Sequence, residues 1–221
     1  MITSIPQATV LACALLGTSF VHAQGLPKEE GLFRSPDLVE IVKLDTTIKL
    51  DIRYATKNNF LGKPVYKQAR AFLQRPAAEA LVRVNQALRE KGYGVMIFDG
   101  YRPWSVTKVL WDSTPKEKKI YVADPAVGSR HNRGCAVDLT LYELKTGQAM
   151  KMPSAYDEMT ERSHPDYACA TPEATRLRDL LIAAMREEGF TVFQTEWWHY
   201  DHPDWKEYAI LDLDFSAIER E

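Results

Sequence analysis

The sequence is short of several things, and each shortage excludes a class of protein. Only three of its 221 residues are cysteine, which argues against a small disulfide-stapled scaffold, and a chain of this length buries enough surface to fold without bridges. Neither sign of charge is in surplus. With 28 basic residues against 30 acidic ones the net charge is −2, so the electropositive field required for binding a phosphate backbone is missing and no nucleic-acid partner is expected. Long apolar runs are confined to the N-terminus, and histidine is scarce at five residues. What remains, 45% hydrophobic and 26% charged, is the composition of an ordinary globular enzyme or binding domain.

Residues 1–23 contain no Lys, Arg, Asp or Glu. The apolar run from Ala8 to Val21 is too short to be read as a membrane span and resembles a signal peptide, with Val21 and Ala23 as the small residues before a cut at Gln24. This reading assigns 1–23 to a signal peptide and 24–221 to one domain in a periplasmic or secreted protein. A buried N-terminal helix and lipid attachment at Cys13 are the competing readings. After cleavage Cys135 and Cys169 remain, and the sequence does not say whether they pair.

Further along, apolar alternation predicts strands over Val39–Leu44 and Thr47–Tyr54, paired with each other. Helical spacing of Ala77, Leu81, Val84 and Leu88 predicts a helix from Pro76, stopped by Gly92. A buried strand follows at Gly94–Phe98, then a helix from Pro103 to near Ser113 with Val106, Leu110 and Trp111 inward. Ala136–Tyr142 reads as a strand, Thr171 caps a helix closed by Gly189, and Thr191–His199 returns as a strand. Strands and helices mix without strict alternation. The expected class is therefore α+β, one domain, with an antiparallel or mixed central sheet, helices packed on it and the site at sheet and loops.

Two polar motifs hold half of the four histidines left after cleavage: Ser129-Arg-His-Asn-Arg-Gly-Cys-Ala-Val-Asp138 and Glu196-Trp-Trp-His199. Imidazoles and a carboxylate are the usual ligands of catalytic zinc, which keeps a fourth position for water. His131, Asp138 and His199 supply that set, and Glu196 is left over as a general base for a metal-activated water. Asp138 sits inside an apolar run, where an unpaired charge is costly and a metal would resolve the cost. Backbone hydrogen bonding for His131 and a turn carboxylate for Asp138 are the plainer alternatives. Positions three or seven apart on a regular strand face opposite ways. Hence His131 is expected in a loop, with Gly134 as the break, Asp138 on the next strand, and a bulge or strand end near Trp197 and Trp198. His164 and His202 read as turn residues, and Cys135 as a core or disulfide sulfur.

Ser-x-His-x-x-Gly-x-Ala-x-Asp followed by Glu-x-x-His resembles the signature of D-alanyl-D-alanine dipeptidases of the vancomycin-resistance type, within the zinc D,D-peptidases. Arg53–Phe60, Asp99-Gly-Tyr-Arg-Pro103 and Tyr156–His164 match in type and order, so the likeness runs from roughly Leu38 to Trp205. It implies one Zn2+ per chain on His131, Asp138 and His199, Glu196 as catalytic base, and Arg102 stabilising the oxyanion with Asp99 orienting it. It also implies Asp157 for the substrate amine and Ser129 for its carboxylate. Arg130 stands where the family often has a second serine, with stronger carboxylate binding or a wider substrate range as the two expectations. The implied reaction is hydrolysis of a D,D-dipeptide. The rivals are a D,D-carboxypeptidase or endopeptidase acting on peptidoglycan stems and a noncatalytic wall-peptide binding module. Oligomeric state is not legible.

Overall fold

In the computed structural model, which describes residues 25–168 and 171–218, the chain begins with a short strand β1 (Leu38–Glu40) that turns directly into a single helical turn α1 (Ile41–Leu44). Strands β2 (Lys49–Leu50) and β3 (Phe72–Gln74) follow, then helix α2 (Arg75–Arg89), strand β4 (Tyr93–Asp99) and helix α3 (Trp104–Ser113). Strand β5 (Ala136–Glu143), helix α4 (Pro172–Glu187) and strands β6 (Thr191–Phe193) and β7 (Glu196–Asp201) complete it. Five strands form one sheet in the order β2-β4-β5-β7-β6, with β2 parallel to β4 and the other pairs antiparallel. This is the mixed sheet with packed helices that the sequence predicts. The signal-peptide run, Cys13 and Cys169 lie outside the described residues.

Two expected strands are not paired with each other. β1 pairs with β3, and β2 with β4. The reason is Asp45, whose carboxylate accepts the Thr47 N–H at 2.8 Å and the Thr47 hydroxyl at 2.6 Å, an Asx-type turn that breaks the extended run. The buried Asn85 on α2 bonds the same carboxylate at 2.8 Å and accepts the Val95 N–H at 2.9 Å. One amide thus pins the turn, the helix and β4 together.

α2 buries Ala77, Leu81, Val84 and Leu88 as its spacing predicts, with proline in its first turn. α3 is rotated from expectation: Trp104, Thr107 and Leu110 face inward, whereas Val106 and Trp111 are half-buried. Trp104 is drawn in because its indole N–H donates to the Pro125 carbonyl at 2.9 Å. α4 has the anticipated cap, Thr171 Oγ1 accepting from the Ala174 N–H at 3.2 Å. The expected strand over Thr191–His199 is a hairpin, β6 and β7, with a register shift between Val192 and Phe193. The break therefore lies before Glu196, and β7 runs unbroken through Trp197 and Trp198.

Val95 and Ile97 of β4 and Val137, Leu139 and Leu141 of β5 are fully buried. Their pleat leaves Asp138 on the opposite face. Cys135, also fully buried, has its thiol pKa pushed up to about 12 by that burial, so it is an inert core sulfur.

Candidate metal centre and substrate cleft

The sheet's register brings the acidic groups and the second histidine into line. Asp99 of β4 lies opposite Asp138 of β5, which lies opposite His199 of β7. Residues directly opposite on neighbouring strands share a face, so three segments distant in sequence present side chains to one spot. His131 arrives from a different element, a 3-10 turn over Arg130–Arg133. Ser129 caps that turn, its Oγ accepting the His131 N–H at 3.2 Å while its own N–H donates to Asn132 Oδ1 at 2.7 Å. Gly134 ends it at φ 68°, where a Cβ would lie 2.5 Å from Leu38 Cδ2. Glycine is thus required there by backbone and by space.

His131 Nε2, Asp138 Oδ1 and His199 Nδ1 form a small triangle with sides of 3.1, 3.3 and 3.0 Å. Tetrahedral ligands about 2.0–2.1 Å from zinc are separated by about 3.3 Å, so the triangle has the size of one face of a zinc site. The outer nitrogens are already committed. His131 Nδ1 lies 2.7 Å from the Gly100 carbonyl and His199 Nε2 lies 3.0 Å from Asp201 Oδ1, so both carry their proton there and turn a lone pair inward. Asp138 Oδ2 accepts from Tyr156 at 2.9 Å, whereas buried Oδ1 has no hydrogen-bond partner. Two facing lone pairs and an orphaned carboxylate oxygen call for a cation between them.

Electrostatics agree. Burial works against a charged His199, yet Asp201 and Asp138 overcome it and push its pKa up to about 10. Burial alone would raise the Asp138 pKa, but His131 and His199 reverse this and hold it well below the usual carboxylate range. The cage is built for positive charge.

Glu196, at the head of β7, brings Oε2 to 3.8 Å from His199 Nδ1. The two converge because the hairpin turn and register shift sit immediately before Glu196. Burial pushes the Glu196 pKa up to about 8, with Asp138 and Asp157 adding to the rise and His199 opposing it. Arg102 is buried, donates from Nε to Asp99 Oδ2 at 2.9 Å, and holds Nη2 3.7 Å from Asp138 Oδ2.

Asp157 stands at φ 60°, the one non-glycine residue with positive φ among those described. Its Oδ1 accepts from Tyr54 at 3.1 Å, while Oδ2 is buried without a partner. Burial and Asp138 push its pKa up to about 7, against Arg102. His131, Asp138, His199, Glu196, Arg102, Tyr54 and Asp157 line one cleft of about 320 Å3, together with Ser129, Trp198 and an apolar wall that includes Ile120 and Val127, whereas Asp99, Tyr156 and Asp201 do not line it. His164 and His202 do not line it. His202 caps a 3-10 turn through the Asp204 N–H, as its turn assignment predicts. Arg130 lines the cleft, but one of its nitrogens is bonded to Asp201.

Asp201, Tyr156 and Tyr54 are the contributors that sequence reasoning misses. Asp201 had a signal, since residues two apart on a strand share a face. The tyrosines lie inside the segments Arg53–Phe60 and Tyr156–His164 that carry the family resemblance, but no periodicity brings Tyr54 to Asp157 across 103 positions.

The cleft's two loops are closed by the C-terminal tail. Leu211 N–H donates to the Asn132 carbonyl at 2.9 Å, its own carbonyl accepts from Trp104 N–H at 3.1 Å, and Leu213 N–H donates to the Tyr101 hydroxyl at 2.7 Å. Asn132 in turn donates to the Arg102 carbonyl at 2.8 Å.

Comparison with known proteins gives a consistent result. The family described as D-ala-D-ala dipeptidase matches residues 34–218. A D-alanyl-D-alanine dipeptidase of Escherichia coli is 37% identical over 182 residues, 82% of this chain and 93% of that protein. One of Enterococcus faecium is 36% identical over 174 residues, 69% of this chain and 85% of that one. Among solved structures, a vancomycin-resistance D,D-dipeptidase in complex with a D-Ala-D-Ala phosphinate analogue is a looser match, TM-score 0.42 at 19% identity over 63% of this chain and 55% of that chain.

Proposed function

This chain belongs to the D-Ala-D-Ala dipeptidase family, and on that premise we propose that it hydrolyses D-Ala-D-Ala or a close D,D-dipeptide with one zinc ion held by His131, Asp138 and His199. The observation that carries the reading is the convergence in one cleft of that ligand triangle, a half-buried Glu196 and an orphaned carboxylate oxygen on Asp157. When bound, zinc acidifies water and polarises the scissile carbonyl.

The rest is work for the chain's own side chains. Glu196, whose raised pKa suits a base near neutrality, takes the proton from the attacking water and returns it to the leaving amine. Arg102 supplies fixed positive charge to the oxygen that becomes anionic, and Asp99 keeps the guanidinium aimed. A free dipeptide is a zwitterion. Asp157 Oδ2 gains its missing partner from the substrate ammonium, and Ser129 contributes to holding the carboxylate. The enclosed Oδ2 of Asp157 would pair with the free amine of a dipeptide, which favours a dipeptide over the longer stems that a D,D-carboxypeptidase or endopeptidase would take. A noncatalytic binding module would have no use for Glu196.

We assign the chain to the periplasm or the exterior on its N-terminal run, which fits turnover or scavenging of wall peptides; no described helix is long and apolar enough to cross a membrane. The test is zinc content together with cleavage of D-Ala-D-Ala, L-Ala-L-Ala, N-acetyl-D-Ala-D-Ala and a stem pentapeptide. Cleavage of the first alone is expected. Zinc-loaded protein that leaves it intact overturns the proposal.

A further inference from the structure

We propose that Arg130 is a positioning residue for the metal centre, fixing Asp201 and, through Asp201, the lone pair that His199 turns towards the metal. The inference rests on the zinc reading above. Asp201 follows His199 by two positions on β7 and is buried, with each oxygen engaged. Oδ1 lies 3.0 Å from His199 Nε2, and Oδ2 accepts from Arg130 Nη1. A carboxylate held at both oxygens cannot turn about its own axis, so the proton on His199 stays on Nε2 and Nδ1 stays free to ligate. Arg130 is itself immobilised, its guanidinium carbon 4.7 Å from the centre of the Trp205 ring.

The consequence lies in where Arg130 sits. It precedes His131 in the same 3-10 turn. One turn therefore sets two of the three ligands, His131 directly and His199 through the Arg130–Asp201 pair. A serine at position 130 could not span this distance as an ionic partner, so in a chain with serine there Asp201 would lack this restraint. Arg102 cannot substitute for it, being committed to Asp99 beneath the other side of the site.

The test uses the full chain and a chelator competition for zinc, with circular dichroism of each metal-free variant to verify folding. Arg130→Ala is expected to weaken zinc binding about 10-fold, the lower end of what outer partners of zinc ligands contribute. Arg130→Lys, which restores the charge but only one donor point, should recover part of the loss. In an Asp201→Asn background, Arg130→Ala should cost nothing more, because the path it acts through is already cut. Unchanged zinc affinity with a raised KM for D-Ala-D-Ala would overturn the inference and make Arg130 a substrate contact. Equal losses in both backgrounds would overturn it too. Should Arg130→Ala fail to fold, Arg130→Lys and Asp201→Asn give the same comparison. A parent chain that holds no zinc defeats the zinc reading itself, a result separable from either.

Discussion

At the scale of single residues, the sharpest expectations concern two carboxylates that burial makes reluctant to ionise. Asp157 meets a substrate ammonium only when it is charged, and its pKa is raised to about 7. KM for D-Ala-D-Ala should therefore fall as pH climbs through neutrality, and Asp157→Asn should raise KM and flatten that dependence. A variant with the parent's KM profile removes Asp157 from the site. The same shift has a sign for stability. Unfolded Asp157 loses its proton near 3.8 while the folded residue keeps it to about 7, so its contribution makes the metal-free fold less stable as pH rises across that window. Glu196→Gln should keep zinc and lose about 100- to 10,000-fold in kcat, the range for a general base. His131→Ala should lose zinc as well, read by metal analysis of the folded protein. Much of this was legible because spacing and residue type coincide: His131, Asp138 and His199 stood out once Asp138 was seen inside an apolar run. Asp201 was legible in principle from the strand period, while Tyr54 and Tyr156 depend on long-range packing that no local pattern encodes.

Among elements, the two motif loops depend on how closely backbones approach. Gly100 supplies the carbonyl that orients His131, and a Cβ there would lie 2.7 Å from the Phe72 carbonyl oxygen. Gly100→Ala must displace one backbone or the other. About 1–3 kcal/mol of stability should be lost, as for overpacked cores, together with weaker zinc binding, read by denaturant melts and chelator competition. Unaltered values for both would show that the His131 turn does not depend on this approach. Helices α2 and α4 were readable because proline, caps and a 3.6-residue period agree in them. The stretch from Val39 to Tyr54 was not, since an alternating pattern cannot reveal that Asp45 closes a side-chain turn on Thr47. The hairpin of β6 and β7 was hidden for a related reason. Gln194 and Thr195 carry no glycine or proline to mark a reversal, and the run looked continuous.

For the molecule as a whole, the site is a property of the sheet's register: a slip of β5 against β7 by one residue would move Asp138 and His199 to opposite faces. Metal and fold should therefore stabilise each other. Zinc at 100 times its Kd adds about 2.7 kcal/mol to a fold that alone binds it, which for a domain of this size is a rise of about 5–10 °C in Tm. Thermal melts with zinc and with chelator check this, and identical midpoints would mean that the triangle holds no ion. The tail gives the molecule a further property. Leu211 adds a second tie between the Asn132 loop and the start of α3, beside the direct bond from Asn132 to the Arg102 carbonyl. Leu211 thus works as a clasp: breaking its two backbone bonds should loosen both motif loops while every side chain that lines the cleft stays in place.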